Sequence, residues 1–304
     1  MSELSPSDLE ACVRILSAGS KSFAAASKLL PKRVRASATV LYSFCRVADD
    51  IIDLDPTVTD ASVEKLSSRL DRIYSGSPDD DPIDRSLAVV VSRERVPIAL
   101  PRALLEGLAW DARGKRYQTL DELHAYAARV AGTVGAMMTV VMGERDPDVL
   151  ARACDLGVAM QLTNVARDIG EDARRGRVYL PLEWLRDENV DVEAWLKDPQ
   201  PTPQLRKLTA RLLDEADILY LRSDAGIARL PKDCRVSIRA ARRIYSDIGR
   251  VIRKRDHDSV SRRAVVSTWR KLALVFGSYL ARTERGVLRT PPLEPTRFLV
   301  EACQ

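Results

Sequence analysis

Two stretches of this chain place aspartates four residues apart in apolar surroundings. They are Arg46-Val-Ala-Asp49-Asp50-Ile-Ile-Asp53 and Asn164-Val-Ala-Arg167-Asp168-Ile-Gly-Glu171-Asp172. On an α-helix, positions i and i+4 share one face about 6 Å apart along the axis, so Asp49 with Asp53, and Asp168 with Asp172, project paired carboxylates into one volume. Arg46 and Arg167 stand beside the pairs, but facing carboxylates repel unless a cation or water lies between them. The cation that suits them is hard and oxygen-seeking. Mg2+ takes one or two carboxylates and the phosphates of a substrate rather than a full protein cage. Together the pairs suggest a diphosphate held between two helices by bridging metal ions. A solvated helix face is the ordinary explanation of one such pair. Against it stand the apolar flanks, Leu41, Phe44 and Val47 before the first pair and Leu156, Met160, Leu162 and Val165 before the second. Charged residues on the apolar side of a helix rarely lack a partner.

The elements that must position these groups read as helices. The chain has 304 residues, 45% hydrophobic and 5% aromatic, enough for a sizeable core, and its apolar residues recur at helical rather than alternating spacing. The fold class expected is all-α, a single domain over residues 1–304 with an irregular tail from 286. Proline and polar caps delimit the helices. One starts at Ser7-Asp8, one runs from Pro31 to about Asp55, and Ala61–Tyr74 is short and amphipathic. Others follow Pro101, run from Leu120 to Met142, and begin at Pro147 to end near Arg174-Arg-Gly-Arg177. Residues 178–203 read as rich in loops; helices resume over Leu205–Leu221, Lys232–Arg255 and Ala264–Arg282. Between Tyr74 and Pro82, Asp80, Asp81 and nearby Asp84 imitate a metal motif, but Pro78 and Pro82 break any helix that could align them, so the segment reads as a solvated loop. Val130-Ala-Gly-Thr-Val-Gly135 is apolar and small; its glycines imply either close helix packing or a wall beside a long apolar ligand.

Bulk charge and motif content exclude several classes. The five cysteines are scattered without metal-type spacing, which fits a reduced, cytoplasmic setting. Residues 1–16 lack the basic start and apolar centre of a signal peptide. The longest uncharged run, Val130–Gly143, is 14 residues, short of the roughly 20 that span a bilayer. Net charge is +5, and from Arg229 to Arg289 bases outnumber acids roughly three to one, a bias toward anionic partners. Nucleic acid, an anionic membrane surface and a diphosphate all qualify, but no nucleic-acid module or aromatic interleaving is present, so nucleic acid is not expected. Asp214-Glu-Ala-Asp217 spells a helicase box without its phosphate loop. His124 and His257 have no nucleophile motif beside them, and no GxGxxG follows a strand.

The stretch Gln161-Leu-Thr-Asn164-Val-Ala-Arg167-Asp168-Ile-Gly-Glu171-Asp172-Ala-Arg-Arg-Gly-Arg-Val-Tyr-Leu-Pro181, with Cys45-Arg46-Val-Ala-Asp49-Asp50-Ile-Ile-Asp53 upstream, resembles the squalene/phytoene synthase family, and within it the bacterial phytoene synthases. Gly19-Ser20-Lys21-Ser22-Phe23 and Val130–Gly135 match the same pattern. The resemblance implies an all-helical isoprenoid-synthase domain with two Asp-rich helices facing across a deep cavity. Carried over by position, Asp49, Asp53, Asp168 and Asp172 hold Mg2+ or Mn2+, and Asn164 assists the second cluster. Arg46, Arg167 and Arg262 neutralise diphosphate oxygens and Tyr245 donates to them. Ser20, Ser22, Phe23, Tyr42, Tyr126 and Gln161 contact substrate or line the cavity. The implied activity is head-to-head condensation of two geranylgeranyl diphosphates to 15-cis-phytoene, without NADPH, by an enzyme peripheral to the inner membrane. A farnesyl-using relative, and a non-catalytic scaffold of the same fold, are the alternatives.

Overall fold

The computed structural model describes residues 3–19, 27, 29–54, 60–281 and 287–304, with side chains omitted at 53, 54, 60 and 61. Every regular element among them is helical. The order is α1 Pro6–Gly19, α2 Lys32–Leu54, α3 Asp60–Tyr74, α4 Pro82–Glu94, α5 Ala99–Ala112, α6 Leu120–Ala127, α7 Thr133–Val141 and α8 Pro147–Arg174. There follow α9 Leu182–Asp187, α10 Val192–Lys197, α11 Pro203–Ile227, α12 Arg235–Arg253, α13 Thr268–Leu280 and α14 Arg297–Glu301. The expected all-α class is what the structure shows. No described helix is long and apolar enough to cross a membrane.

The central helix is α8. Pro147 occupies its first turn, where a missing N–H costs nothing, and the Asp146 carboxylate accepts from the amides of Asp148 at 2.9 Å and Val149 at 3.3 Å. Its 28 residues are buried on most sides, because α11, α12, α7 and the turn before α7 all pack on it. The counterpart α2 packs instead on α1, α4 and α5. The two Asp-bearing helices therefore belong to different halves of one core.

Four expectations change. Leu120–Met142 is not one α-helix: Ala128–Gly132 form a π turn between α6 and α7, the type of bulge that appears where side-chain register must shift. Gly107 of α5 makes room, since a Cβ there would lie 2.7 Å from Val130 Cγ1. Residues 79–84 are not a solvated loop throughout. Asp81 caps α4, accepting from Ile83 N at 2.9 Å, and Asp84 is fully buried against Arg69 Nε at 2.7 Å. The proline break expected there is instead the helix start. The span 178–203 contains α9 and α10, anchored by buried Trp184 and Trp195. The tail is not irregular to its end: α14 buries Leu299 and Val300, because an apolar pair at the end of a chain gains by docking on the α8 and α7 surface.

Candidate active site

A cavity of about 320 Å3 lies between the two halves, with walls from α2, the π turn, α7, α8, α11 and α12. Its lining on α8 runs from Asn164 through Gln161, Gly157 and Ala153 to Val149. The fifteen rises of 1.5 Å between Val149 and Asn164 make this wall about 22 Å long. One end is polar, with Tyr42, Gln161, Asn164 and Tyr245; the other is closed by Met142, Val149, Ile227 and Leu230 around the buried Arg152. Small residues bring the walls together. A Cβ on Gly157 would lie 2.3 Å from Ala131 O, and one on Gly135 would lie 2.3 Å from Ala153 O. In the glycine stretch Gly135 packs helix on helix, as the close-packing reading expects, and it faces the cavity together with Gly157 of α8.

The two acidic motifs lie one turn beyond the polar end on α2 and α8. The carboxylates are partnered more fully than their spacing alone indicates. Arg46 Nε donates to Asp50 Oδ2 at 3.0 Å and Arg46 Nη1 to Asp49 Oδ2 at 3.4 Å. Arg167 Nε donates to Asp168 Oδ1 at 2.8 Å. Asp168 also accepts from Arg263 Nε at 2.7 Å. Burial alone would raise the Asp168 carboxyl, but donation from Arg167 and Arg263 outweighs it and the group is held below its ordinary range. Asp172 goes the other way: burial first, then the Asp168 carboxylate one turn away, push it up to about 7. Two neighbouring carboxyls are thus driven apart, a pattern that clusters at functional sites.

Oxygen donors dominate this end. Besides the aspartates, Asn164 Oδ1 is buried without a hydrogen-bond partner while its amide nitrogen donates to Gln161 Oε1 at 3.2 Å. An orphaned buried carbonyl beside paired carboxylates is the donor set of a hard divalent ion, so the residues present fit Mg2+ or Mn2+. No cluster of three His, Cys, Asp or Glu converges among the described residues. Ser20, Ser22, Phe23 and the Asp53 side chain lie outside them.

Most of the remaining candidates gather here. Tyr42 and Gln161 line the cavity, and Tyr245 lies within the field of Arg167, Arg263 and Asp168, although burial dominates and raises its hydroxyl. Two candidates do not. Arg262 is exposed, and Arg263 is the residue that reaches the site. The reason is loop register: Asp258 Oδ1 accepts from the amides of Val260 and Ser261, both at 3.0 Å, and Ser259 O accepts from Gly170 N at 3.1 Å. This seats the loop on α8, where a Cβ on Gly170 would strike Val260 O at 2.3 Å. Tyr126 is buried but does not line the cavity; its hydroxyl donates to Asp111 Oδ2 at 2.7 Å, and Tyr179 donates to Asp111 Oδ1 at 2.7 Å. The Tyr126 and Tyr179 rings stack with centroids 5.3 Å apart. Asp111 adds to the field that raises Asp172, so this cluster backs the second motif. Sequence reasoning passed over Gly170, Arg263, Asp111 and Tyr179; only Gly170 carried a signal, a glycine inside a helix between two aspartates.

The chain is similar to known proteins in sequence and in fold. A family model described as squalene/phytoene synthase matches residues 16–270. A phytoene synthase of Rhodobacter capsulatus is 50% identical over 96% of this chain and 86% of its own. A 15-cis-phytoene synthase of Pantoea ananas is 37% identical over 96% of this chain and 97% of its own. The crystal structure of a dehydrosqualene synthase with ligand superposes with a TM-score of 0.84 at 35% identity, covering 90% of this chain and 96% of that one.

Proposed function

This chain belongs to the squalene/phytoene synthase family, and from that premise we propose that it is a prenyltransferase joining two geranylgeranyl diphosphates head to head into 15-cis-phytoene. The observation that carries the reading is the cavity wall of about 22 Å along α8, whose stretch of about 17 Å from Val149 to Met160 can take a prenyl chain, below an end rich in oxygen donors and guanidinium groups. The curated relatives quoted above are phytoene synthases, which points the same way.

In this reading Arg46, Arg167 and Arg263 hold the diphosphates and disperse their charge, and Tyr245 donates to them. Asp49, Asp53, Asp168, Asp172 and Asn164 hold the divalent ions. Held there, Mg2+ or Mn2+ would supply the charge that makes diphosphate a leaving group. Arginine donors preorganised around the departing oxygens then lower the barrier to an allylic cation. The second prenyl diphosphate attacks that cation through its allylic double bond and sheds a proton to close a cyclopropyl diphosphate, whose ionisation with departure of its diphosphate, rearrangement and loss of a second proton yield the triene. The apolar lining from Val149 to Met160 excludes water that would quench each cation. No nicotinamide is needed, because the last cation loses a proton rather than gaining hydride. The hydrocarbon product suits an enzyme on the cytoplasmic side of a membrane surface.

The test supplies purified protein with Mg2+ and either farnesyl or geranylgeranyl diphosphate and identifies the hydrocarbon by mass. Phytoene from the C20 substrate is expected; a C30 product made from farnesyl diphosphate alone would transfer the assignment to a dehydrosqualene-type enzyme. Asp168→Asn, which keeps the size but removes the charge, is expected to lose turnover by two orders of magnitude or more while the protein remains folded. Near-normal turnover of that variant at limiting Mg2+ would remove the metal role.

A further inference from the structure

One surface remains outside this chemistry. The helix α13 buries a single side chain, Ser278, and packs principally on α12. Trp269 is 83% exposed and Phe276 67%, with Leu272, Tyr279 and Leu280 each more than half exposed. At 100° per residue these five side chains fall within an arc of about 100°. Leu274, Gly277 and Ser278 occupy the opposite side, against α12, where Arg239 Nη1 donates to Ser278 O at 2.9 Å and Arg243 lies under Gly277. The apolar stripe is therefore turned fully outward. Five large apolar side chains in one row form a continuous patch, which monomeric proteins rarely leave bare.

Its setting selects the occupant. Together α12 and α13 carry eight basic residues against one acid, Asp247, which Arg250 Nε neutralises at 2.6 Å with Arg270 Nη2 at 3.0 Å; Arg242 and Arg253 pair with Asp224, Asp214 and Asp217 of α11, and a net excess of four cations remains. Arg270 and Lys271 flank the stripe on either side of the helix. A short helix with Trp near one end, Tyr near the other, aliphatic residues between and cations along its flanks has the pattern of a helix lying in the headgroup boundary of an anionic bilayer. A second copy of this chain would bring the same excess of cations to the contact and be repelled. We propose that the outer face of α13 docks the protein onto anionic membrane, lying flat in the interface without crossing it. The inner face of α12, through Ile238, Ala241 and Tyr245, lines the cavity, so docking places the cavity one helix away from the lipid. The inference rests on the prenyl-diphosphate reading only for what is delivered there.

The test is co-sedimentation of the full chain with vesicles of phosphatidylcholine alone and of phosphatidylcholine with one quarter phosphatidylglycerol, for the native protein and for a Trp269→Ser, Phe276→Ser double variant. The native protein is expected to bind the anionic vesicles and the variant to bind at least about tenfold more weakly. Of the four tryptophans Trp184 and Trp195 are buried and Trp110 is half-buried on α5 with Lys115 and Arg129 over its ring, so quenching by brominated lipid is expected to fall mainly on Trp269 and to drop sharply in Trp269→Phe. Both changes are at exposed positions, and turnover on detergent-dispersed substrate is expected to be unchanged. Equal vesicle binding by native protein and double variant, or none by either, would overturn the proposal. So would a native dimer in lipid-free buffer that the double variant converts to monomer, which would give the face to a second copy. Vesicle binding by a protein inactive on every prenyl diphosphate would refute the catalytic reading and leave the docking face standing.

Discussion

Replacing Gly157 with alanine tests the close approach that shapes the cavity wall. The added Cβ would lie 2.3 Å from Ala131 O, 2.6 Å from Ala131 C and 2.9 Å from Gly132 Cα. The first distance is about 1 Å inside the 3.3–3.6 Å of an ordinary carbon–oxygen contact. All three atoms are backbone, so no rotamer can yield, and α8 must retreat from the π turn. Overpacking of this type costs about 1–3 kcal/mol, and with backbone on the receiving side the upper figure applies. Helix propensity returns about 1 kcal/mol, leaving a net loss of about 2 kcal/mol. Gly132 is the control. It sits at φ −57°, ψ −42°, and its added Cβ would meet nothing nearer than Leu299 Cδ1 at 3.4 Å, so Gly132→Ala is expected to be neutral or to gain up to about 1 kcal/mol. Urea unfolding of the three proteins, with turnover measured in parallel, reads the difference of about 3 kcal/mol between the variants. Gly157→Ala is also expected to lose turnover, because Gly157 and Ala131 both face the cavity. If both variants shift the midpoint in the same direction by similar amounts, the packing argument is wrong.

Three further outcomes are expected. In metal-free protein the folded Asp172 carboxyl, at about 7, lies above its unfolded value of 3.8; it therefore holds a proton that the unfolded chain has lost, and its contribution to stability is lost as pH rises from about 4 to 7, by at most about 1.4 kcal/mol per pH unit. Asp172→Asn is expected to remove that component, so the variant gains on the native protein across this window in EDTA; a constant difference would contradict the burial and Asp168 repulsion invoked here. Arg152→Ala is expected to cost about 3 kcal/mol, the low end for a broken buried pair, because Arg152 and Asp155 are both fully buried and 2.8 Å apart while Arg222 Nε at 2.9 Å still partners Asp155, and to speed proteolysis near Leu288 and Pro291, whose carbonyls accept from Arg152; unfolding and limited digestion report both. Adding NADPH is expected to leave product mass and yield unchanged, whereas a product two mass units heavier formed only with NADPH would place the chain among reducing enzymes.

What could be read from the chain without its fold was governed by short range. The helix of Asp168 is marked by Asp146-Pro147 at its start and by apolar periodicity along its length, all set by neighbours within four residues. The same locality put Asp168 and Asp172 on one face of α8 and Gln161 beside Asn164, whereas Tyr42 of α2 and Tyr245 of α12 reach that end of the cavity only through tertiary packing, a placement the family resemblance implied and periodicity did not. Proline reads two ways from its neighbours alone: the sequence reads Pro82 as a helix breaker, yet it opens α4, and the partner that buries Asp84, Arg69, is 15 residues distant. The tertiary structure alone decided that Arg263 and not Arg262 meets Asp168, a pairing across 95 positions that depends on how one loop seats on Gly170. It also decided that the Tyr126 hydroxyl turns to Asp111 rather than to the cavity, and that the apolar side of α13 faces outward. Helical periodicity fixes which residues share a face; which neighbour that face meets depends on long-range packing, where a shift of one residue turns a side chain by about 100° and exchanges its partners.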